Sequence, residues 1–251
     1  MKFIRPVLGS FFHLRNVRIS NVFLLDGGPG DRWLIDCGHW VERATLLFEL
    51  RRAGLRPSDL TGVLLTHRHS DHAGNASFLQ RKFGVKIFAH RADAEILDGS
   101  SPRAVMFRGE GSAIAGILTH FENRWPSRVK VDQALDDGDT VGGIEVHWVP
   151  GHTEGSVFFR HAGTRSLLSG DTLLTALPPL VLLPGFALPY TTFSRDLQQA
   201  RASLQAFHQK GFAYDHLLPG HGRPLVGDAR RKAVVFLESQ GIVIRNDDRG
   251  E

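Results

Sequence analysis

One arrangement recurs four times along this chain: an apolar run, a small turn residue, then a side chain able to ligate a metal. The instances are Leu64-Leu65-Thr66-His67, Trp148-Val149-Pro150-Gly151-His152, Leu167-Leu168-Ser169-Gly170-Asp171 and Leu217-Leu218-Pro219-Gly220-His221. Proline ends ladder pairing and glycine permits a tight bend, so each run is expected to deliver its histidine or aspartate at the mouth of a strand. Ligands carried on loops fixed by rigid strands are how α/β folds build sites. Four such deliveries predict one convergent site.

The first instance opens the densest stretch, Thr66-His67-Arg68-His69-Ser70-Asp71-His72. His67 and His69 are two apart, so extended backbone sends both to one side. Asp71 and His72 follow a bend, with a helix starting behind them. Imidazole and carboxylate are usual zinc ligands, and ligands packed this densely cannot all crowd one tetrahedral ion that keeps an open position. A pair of ions about 3.5–4 Å apart relieves the crowding. A single Pro-Gly-His or Ser-Gly-Asp is also an ordinary turn, so the weight rests on the cluster and on the order of the elements. The lone histidines His13, His39, His90, His120, His147, His161, His208 and His216 read as surface or satisfied core residues.

Around these motifs the pattern alternates between strand and helix. The apolar runs Asn21–Leu25 and Trp33–Asp36 flank the turn-rich Asp26–Asp31. Helical spacing follows over Val41–Ala53 and near Gly74–Phe83, with strands at Gly62–Thr66 and Val85–Ala89. Further strands are expected at Ile144–Val149, Val157–Arg160, Ser166–Ser169 and His216–Leu218, and helices at Arg195–Lys210, with Ser194 as N-cap, and near Asp228–Glu238. Residues 98–130, with Pro102 and Pro126, read as an insertion or lid. This alternation predicts an α/β layered domain spanning residues 1–251, since no linker of distinct composition divides it.

Composition narrows the function classes. The chain has 251 residues and a formal net charge of only +4, with no dense Lys/Arg run, which argues against a nucleic-acid partner. Its single cysteine, Cys37, permits no internal disulfide and reads as a buried small residue. The N-terminus lacks an uninterrupted apolar core, and prolines break the longest apolar stretch, residues 172–189, so neither a signal peptide nor a membrane span is expected. Cytoplasmic residence is the resulting expectation. The apolar segment Thr172–Tyr190 either walls an acyl pocket or forms packed core or a homo-oligomer interface, the second being favoured.

These residues, taken in order with Leu34-Ile35-Asp36-Cys37-Gly38 ahead of them, resemble the metallo-β-lactamase superfamily over nearly the whole chain. The resemblance implies an αββα sandwich with metals at one edge of its two sheets. It implies that His67, His69 and His152 hold one ion, that Asp71, His72 and His221 hold the other, and that Asp171 bridges them. Asp36 would be structural and Asp71 the catalytic carboxylate that orients the nucleophile. The implied cofactor is two divalent ions, zinc first, with iron or manganese compatible with the same ligands. The implied activity is a glyoxalase-II-like hydrolase whose metal-bridged hydroxide attacks a small ester, thioester or lactone. A mononuclear-iron persulfide dioxygenase is the alternative, and a phosphodiesterase or nuclease a more distant one. Gly170-Asp171 is followed by Thr172-Leu173-Leu174-Thr175, where glyoxalase II and the dioxygenases carry Gly-Cys-Gly-Arg. Leu174 stands where acyl-homoserine lactonases place a tyrosine. The substrate therefore stays unassigned.

Overall fold

The computed structural model describes residues 6–103, 113–177 and 183–244. Six strands pair side by side in the first sheet: β1 (Phe11–His13), β2 (Phe23–Asp26), β3 (Arg32–Ile35), β4 (Gly62–Leu64), β5 (Lys86–His90) and β6 (Gln133–Leu135). The second sheet holds β7 (Thr140–Val141), β8 (Ile144–Trp148), β9 (Val157–His161), β10 (Ser166–Gly170), β13 (His216–Pro219) and β14 (Leu225–Val226), in the spatial order β14-β13-β10-β9-β8-β7. Between β10 and β13 in sequence, β11 (Leu174–Leu177) and β12 (Leu183–Ala187) pair antiparallel as a separate two-stranded sheet. Seven helices are described: α1 (Arg43–Arg52), α2 (Ser70–Ala73), α3 (Ala76–Phe83), α4 (Arg91–Asp98), α5 (Ala113–Arg124), α6 (Leu197–Gln209) and α7 (Ala229–Ser239).

Successive side chains of a strand point to opposite faces, and here both faces are covered. Phe23, Leu25, Trp33, Ile35, Leu64 and Phe88 pack between the sheets against Ile144, Val146, Phe159, Leu168 and Leu218. The alternate residues Leu24, Leu34, Val63 and Ile87 pack outward against Leu46 and Leu50 of α1 and Leu79 of α3. On the far side Phe158, Leu167 and Leu217 meet Leu204 and Phe207 of α6 and Ala233 and Leu237 of α7. Three apolar layers separate helix, sheet, sheet and helix, which is the αββα sandwich. Coverage on both faces is why these strands read as apolar runs and not as apolar/polar alternation. Each large aliphatic or aromatic side chain so buried contributes about 1.5–3 kcal/mol.

Several details differ from the sequence reading. The helix expected from Arg195 is capped by Asp196, whose side chain accepts from the Gln199 N–H at 2.9 Å, so Ser194 is not its cap. The helix expected near Gly74–Phe83 is α3, and a short additional helix, α2, precedes it and carries Asp71 and His72. The unforeseen α4 starts at the end of β5 with the His90 ring as its cap, a residue that carries no cap signature. Of the segment 98–130, α5 is described, whereas residues 104–112 lie outside the described residues. Within Thr172–Tyr190, Leu173, Leu174 and Ala176 are buried while Leu177 and Leu183 are exposed; residues 178–182 lie outside the described residues. Among the described residues, no helix is long and apolar enough to cross a membrane.

Candidate metal centre

Each of the four strand-end deliveries reaches the same place. His67 follows β4, His69 precedes α2 as its N-cap residue, Asp71 and His72 lie in α2, and His152, Asp171 and His221 follow β8, β10 and β13. Ligand atoms of His67, His69 and His152 lie within 4.8 Å of one another, and so do those of Asp71, His72, Asp171 and His221. The rings of the first group stand edge-on with centroids 4.6–4.7 Å apart. Asp171 joins the groups: Oδ2 is 3.3 Å from His221 Nε2 and 3.7 Å from His152 Nε2, and Oδ1 is 3.3 Å from His72 Nε2. Asp71 Oδ2 lies 3.1 Å from His221 Nε2 and 3.5 Å from His72 Nε2. All seven residues singled out in the sequence are thus brought together.

Glycine is required at two of the deliveries for want of space. A Cβ at Gly220 would collide with Asp171 Oδ1 and His72 Cε1. A Cβ at Gly151 would collide with the backbone of Ala200 in α6, and Gly151 also has φ 130°.

Neighbouring groups set which ring nitrogen is free. Asp36, at φ 58°, accepts from the Thr66 N–H and the Thr66 hydroxyl, each at 2.8 Å, and from His72 Nδ1 at 2.7 Å. A carboxylate can only accept, so His72 carries its proton on Nδ1 and presents Nε2 to the site. The Thr66 hydroxyl spends its one proton on Asp36, so at 3.1 Å it accepts from His67 Nδ1, and His67 also presents Nε2. Ser194 repeats the device: its hydroxyl donates to the Tyr190 carbonyl at 2.8 Å and accepts from His152 Nδ1 at 3.0 Å. The approach to α6 reinforces this loop, with Arg195 N–H donating to His152 O and Asp196 N–H to Gly151 O.

The electrostatics divide the site. Burial holds His67 and His69 well below the usual imidazole range, helped by His72 and His152 beside His67 and by His152 and His67 beside His69. Burial likewise brings His152 down to about 4. These rings stay neutral, the form that ligates. In the other half burial works against charge but is outweighed. Asp71, Asp171 and Asp36 hold His72 well above its ordinary value, and Asp171 and Asp71 bring His221 up to about 10. The same pairing, mainly with His221 and His72, keeps Asp171 well below the carboxylate range.

The donor set fits divalent cations. His69 Nε2, His72 Nε2, His152 Nε2 and Asp171 Oδ1 are buried without a hydrogen-bond partner. His67 Nε2 and His69 Nδ1 lie 3.1 Å apart, and with His67 protonated on Nδ1 only a proton or a cation reconciles them. Cys37 stands apart: it is fully buried, its thiol donates to the His72 carbonyl at 3.1 Å, and burial pushes it well up, so it is inert. Sequence reasoning missed Thr66 and Ser194 as partners of the candidate ligands His67 and His152, since a hydroxyl beside a turn signals only a turn or a cap.

Comparison with known proteins agrees with this geometry. The profile of the metallo-β-lactamase superfamily matches residues 15–221. The probable metallo-hydrolase YybB of Bacillus subtilis is 29% identical over 160 residues, covering 64% of each chain. A hydroxyacylglutathione hydrolase of Gloeobacter violaceus is 31% identical over 138 residues, 53% of this chain and 41% of that protein. The chain thus spans less than two thirds of either relative. A metallo-β-lactamase family protein of Thermus thermophilus superposes with a TM-score of 0.67 at 25% identity, covering 92% of this chain and 79% of that one. With the profile spanning the strands that deliver His67 through His221 and the sandwich shared with a solved member, this chain belongs to the metallo-β-lactamase superfamily.

Proposed function

We propose that the protein is a dinuclear metal-dependent hydrolase, with zinc as the expected ion, that cleaves a small ester, thioester or lactone. The observation that carries this reading is the convergence of two groups of ligand-capable side chains in which His69 Nε2 and His152 Nε2 are buried without a hydrogen-bond partner. A buried polar atom left unpaired costs about 1–3 kcal/mol, and cations held by His67, His69 and His152 on one side and Asp71, His72 and His221 on the other, with Asp171 between, would offset that cost. Divalent ions so placed supply Lewis acidity and lower the pKa of a coordinated water.

The chain itself supplies orientation and a proton acceptor. Asp71 has the most accessible side chain of the second group, 24% exposed against 10% for Asp171 and 12% for His221. Its Oδ2 is engaged by His221, leaving Oδ1 to orient the attacking water and take its proton. No serine, cysteine or lysine nucleophile is needed. Thioesters head the substrate class because the hydroxyacylglutathione hydrolase to which part of the chain aligns takes its name from one.

Elemental analysis of the protein as purified, followed by thioester, lactone, β-lactam and phosphodiester substrates, tests the reading. The expected result is two zinc ions per chain with turnover of a carbonyl substrate. One iron per chain with oxygen consumption would replace it with an oxygenase, and a chain that binds no metal would end the enzyme reading.

A further inference from the structure

The loops carrying the ligands are held by groups that touch no ligand side chain. Asp93, fully buried at the start of α4, reaches two of these loops at once. Its Oδ2 accepts from the Arg68 backbone N–H at 2.9 Å and from the Thr153 hydroxyl at 2.7 Å, and its Oδ1 accepts from the Gly155 N–H at 2.8 Å. Arg68 lies between His67 and His69, and Thr153 follows His152, so one carboxylate braces the flanks of all three histidines. Arg68 offsets part of the cost of burial, which still pushes the Asp93 carboxyl up to about 6: Arg68 Nε is 3.6 Å from Asp93 Oδ1, and the same guanidinium pairs with Glu154 at 2.9 Å.

The other half has a different brace. The Ser20 hydroxyl donates to the Asp71 carbonyl at 2.5 Å. Asn21 donates from its backbone to Gly220 O at 2.7 Å and from Nδ2 to Pro219 O at 2.8 Å and Gly222 O at 2.7 Å, so it grips both sides of His221. The His13 ring, 3.0 Å from Asn21 Oδ1, orients that amide. The two braces share no hydrogen-bond partner, although Ser20 and Asp93 both hold the His67–His72 segment, at Asp71 and at Arg68.

We propose that Asp93 is the positioning residue of the three-histidine half, acting through the Arg68 backbone and the Thr153 hydroxyl, that Asn21 holds the other half, and that the two halves can therefore be weakened separately. This rests on the metal pair proposed above. Asparagine at position 93 must turn its NH2 group toward either the Arg68 or the Gly155 backbone N–H, which can only donate, so the brace fails with little change in volume. Outer partners of metal ligands typically set ten- to hundredfold in affinity.

The test is a zinc titration of metal-free, full-length protein read by histidine-ring 15N NMR and by competition with a chromophoric chelator. In the wild type two ions bind, and the rings of both halves shift. In Asp93→Asn and Thr153→Val, zinc affinity at His67, His69 and His152 falls at least tenfold while the His72 and His221 shifts keep their wild-type midpoint. Thr153→Ser, which keeps the hydroxyl, stays within about twofold of wild type, and Asn21→Ala shows the reverse selectivity. Equal weakening of both halves, no weakening in either, or Thr153→Ser behaving like Thr153→Val would overturn the inference. Should Asp93→Asn not fold, the Val/Ser pair at position 153 decides. Wild-type protein that fails to bind two ions defeats the metal pair itself, a result distinct from loss of selectivity.

Discussion

At the scale of single residues, the chemistry of the site depends on groups with one proton to give. Ser194 illustrates this. Its hydroxyl donates to Tyr190 O, so the proton between it and His152 belongs to the ring, and Nε2 faces the site unprotonated. Removing the hydroxyl frees His152 to adopt the other tautomer, in which Nε2 carries the proton and cannot ligate. Ser194→Ala is therefore expected to lower zinc affinity about ten- to hundredfold with little change in far-UV circular dichroism. Unchanged affinity in a chelator competition would show that the hydroxyl does not set the ring. Thr66 plays the same part for His67, but it also shares its proton with Asp36, so its loss disturbs two ligands at once.

At the scale of elements, α6 shows how packing and titration are linked. His208, buried on the inner face of that helix, has Nδ1 2.8 Å from the Leu204 carbonyl and Nε2 2.8 Å from the Tyr214 hydroxyl. Burial brings its pKa down to about 4 from the ordinary 6.5, because the charged ring would be desolvated. The unfolded chain binds this proton more readily, so the stability contributed by the neutral ring is fully present above pH 6.5 and is lost as the pH falls through about 4. The shift corresponds to roughly 3 kcal/mol. Urea unfolding of metal-free protein at pH 7.5 and pH 4 should show a smaller acid loss in His208→Gln than in the wild type. Equal losses in the two proteins would place the acid sensitivity elsewhere.

At the scale of the whole molecule, the proposed ligands come from both sheets. His67 follows β4 of the first sheet, whereas His152, Asp171 and His221 follow β8, β10 and β13 of the second. The unfolded chain cannot hold these groups in register, so an ion bound among them stabilises only the folded state. Zinc at a free concentration a thousandfold above its Kd would add about 4 kcal/mol. For a chain of this size that corresponds to a rise in Tm of roughly 10 °C. Scanning calorimetry with chelator and with zinc measures it, and a Tm indifferent to zinc would mean that no ion bridges the sheets.

Much of this architecture is legible from residue order alone. Apolar runs ended by Pro-Gly or Ser-Gly announce His152, Asp171 and His221 at strand mouths, and the spacing of His67, His69, Asp71 and His72 announces their clustering, because local backbone geometry dictates both. Contacts between distant segments are not legible. Asp93 meets Thr153 and Gly155 across 60 and 62 positions, and Asn21 meets Gly222 across 201. Nothing local marks either residue, and Ser194 reads as the cap that Asp196 provides. Short edge strands such as β7 and β14 carry too few residues to show a period. The sequence by itself determined which side chains could ligate and that strands would present them, since those follow from neighbouring residues. Only the stacking of the sheets decided that they converge, which ring nitrogen each offers and what braces the loops, because those follow from groups that become neighbours only on folding.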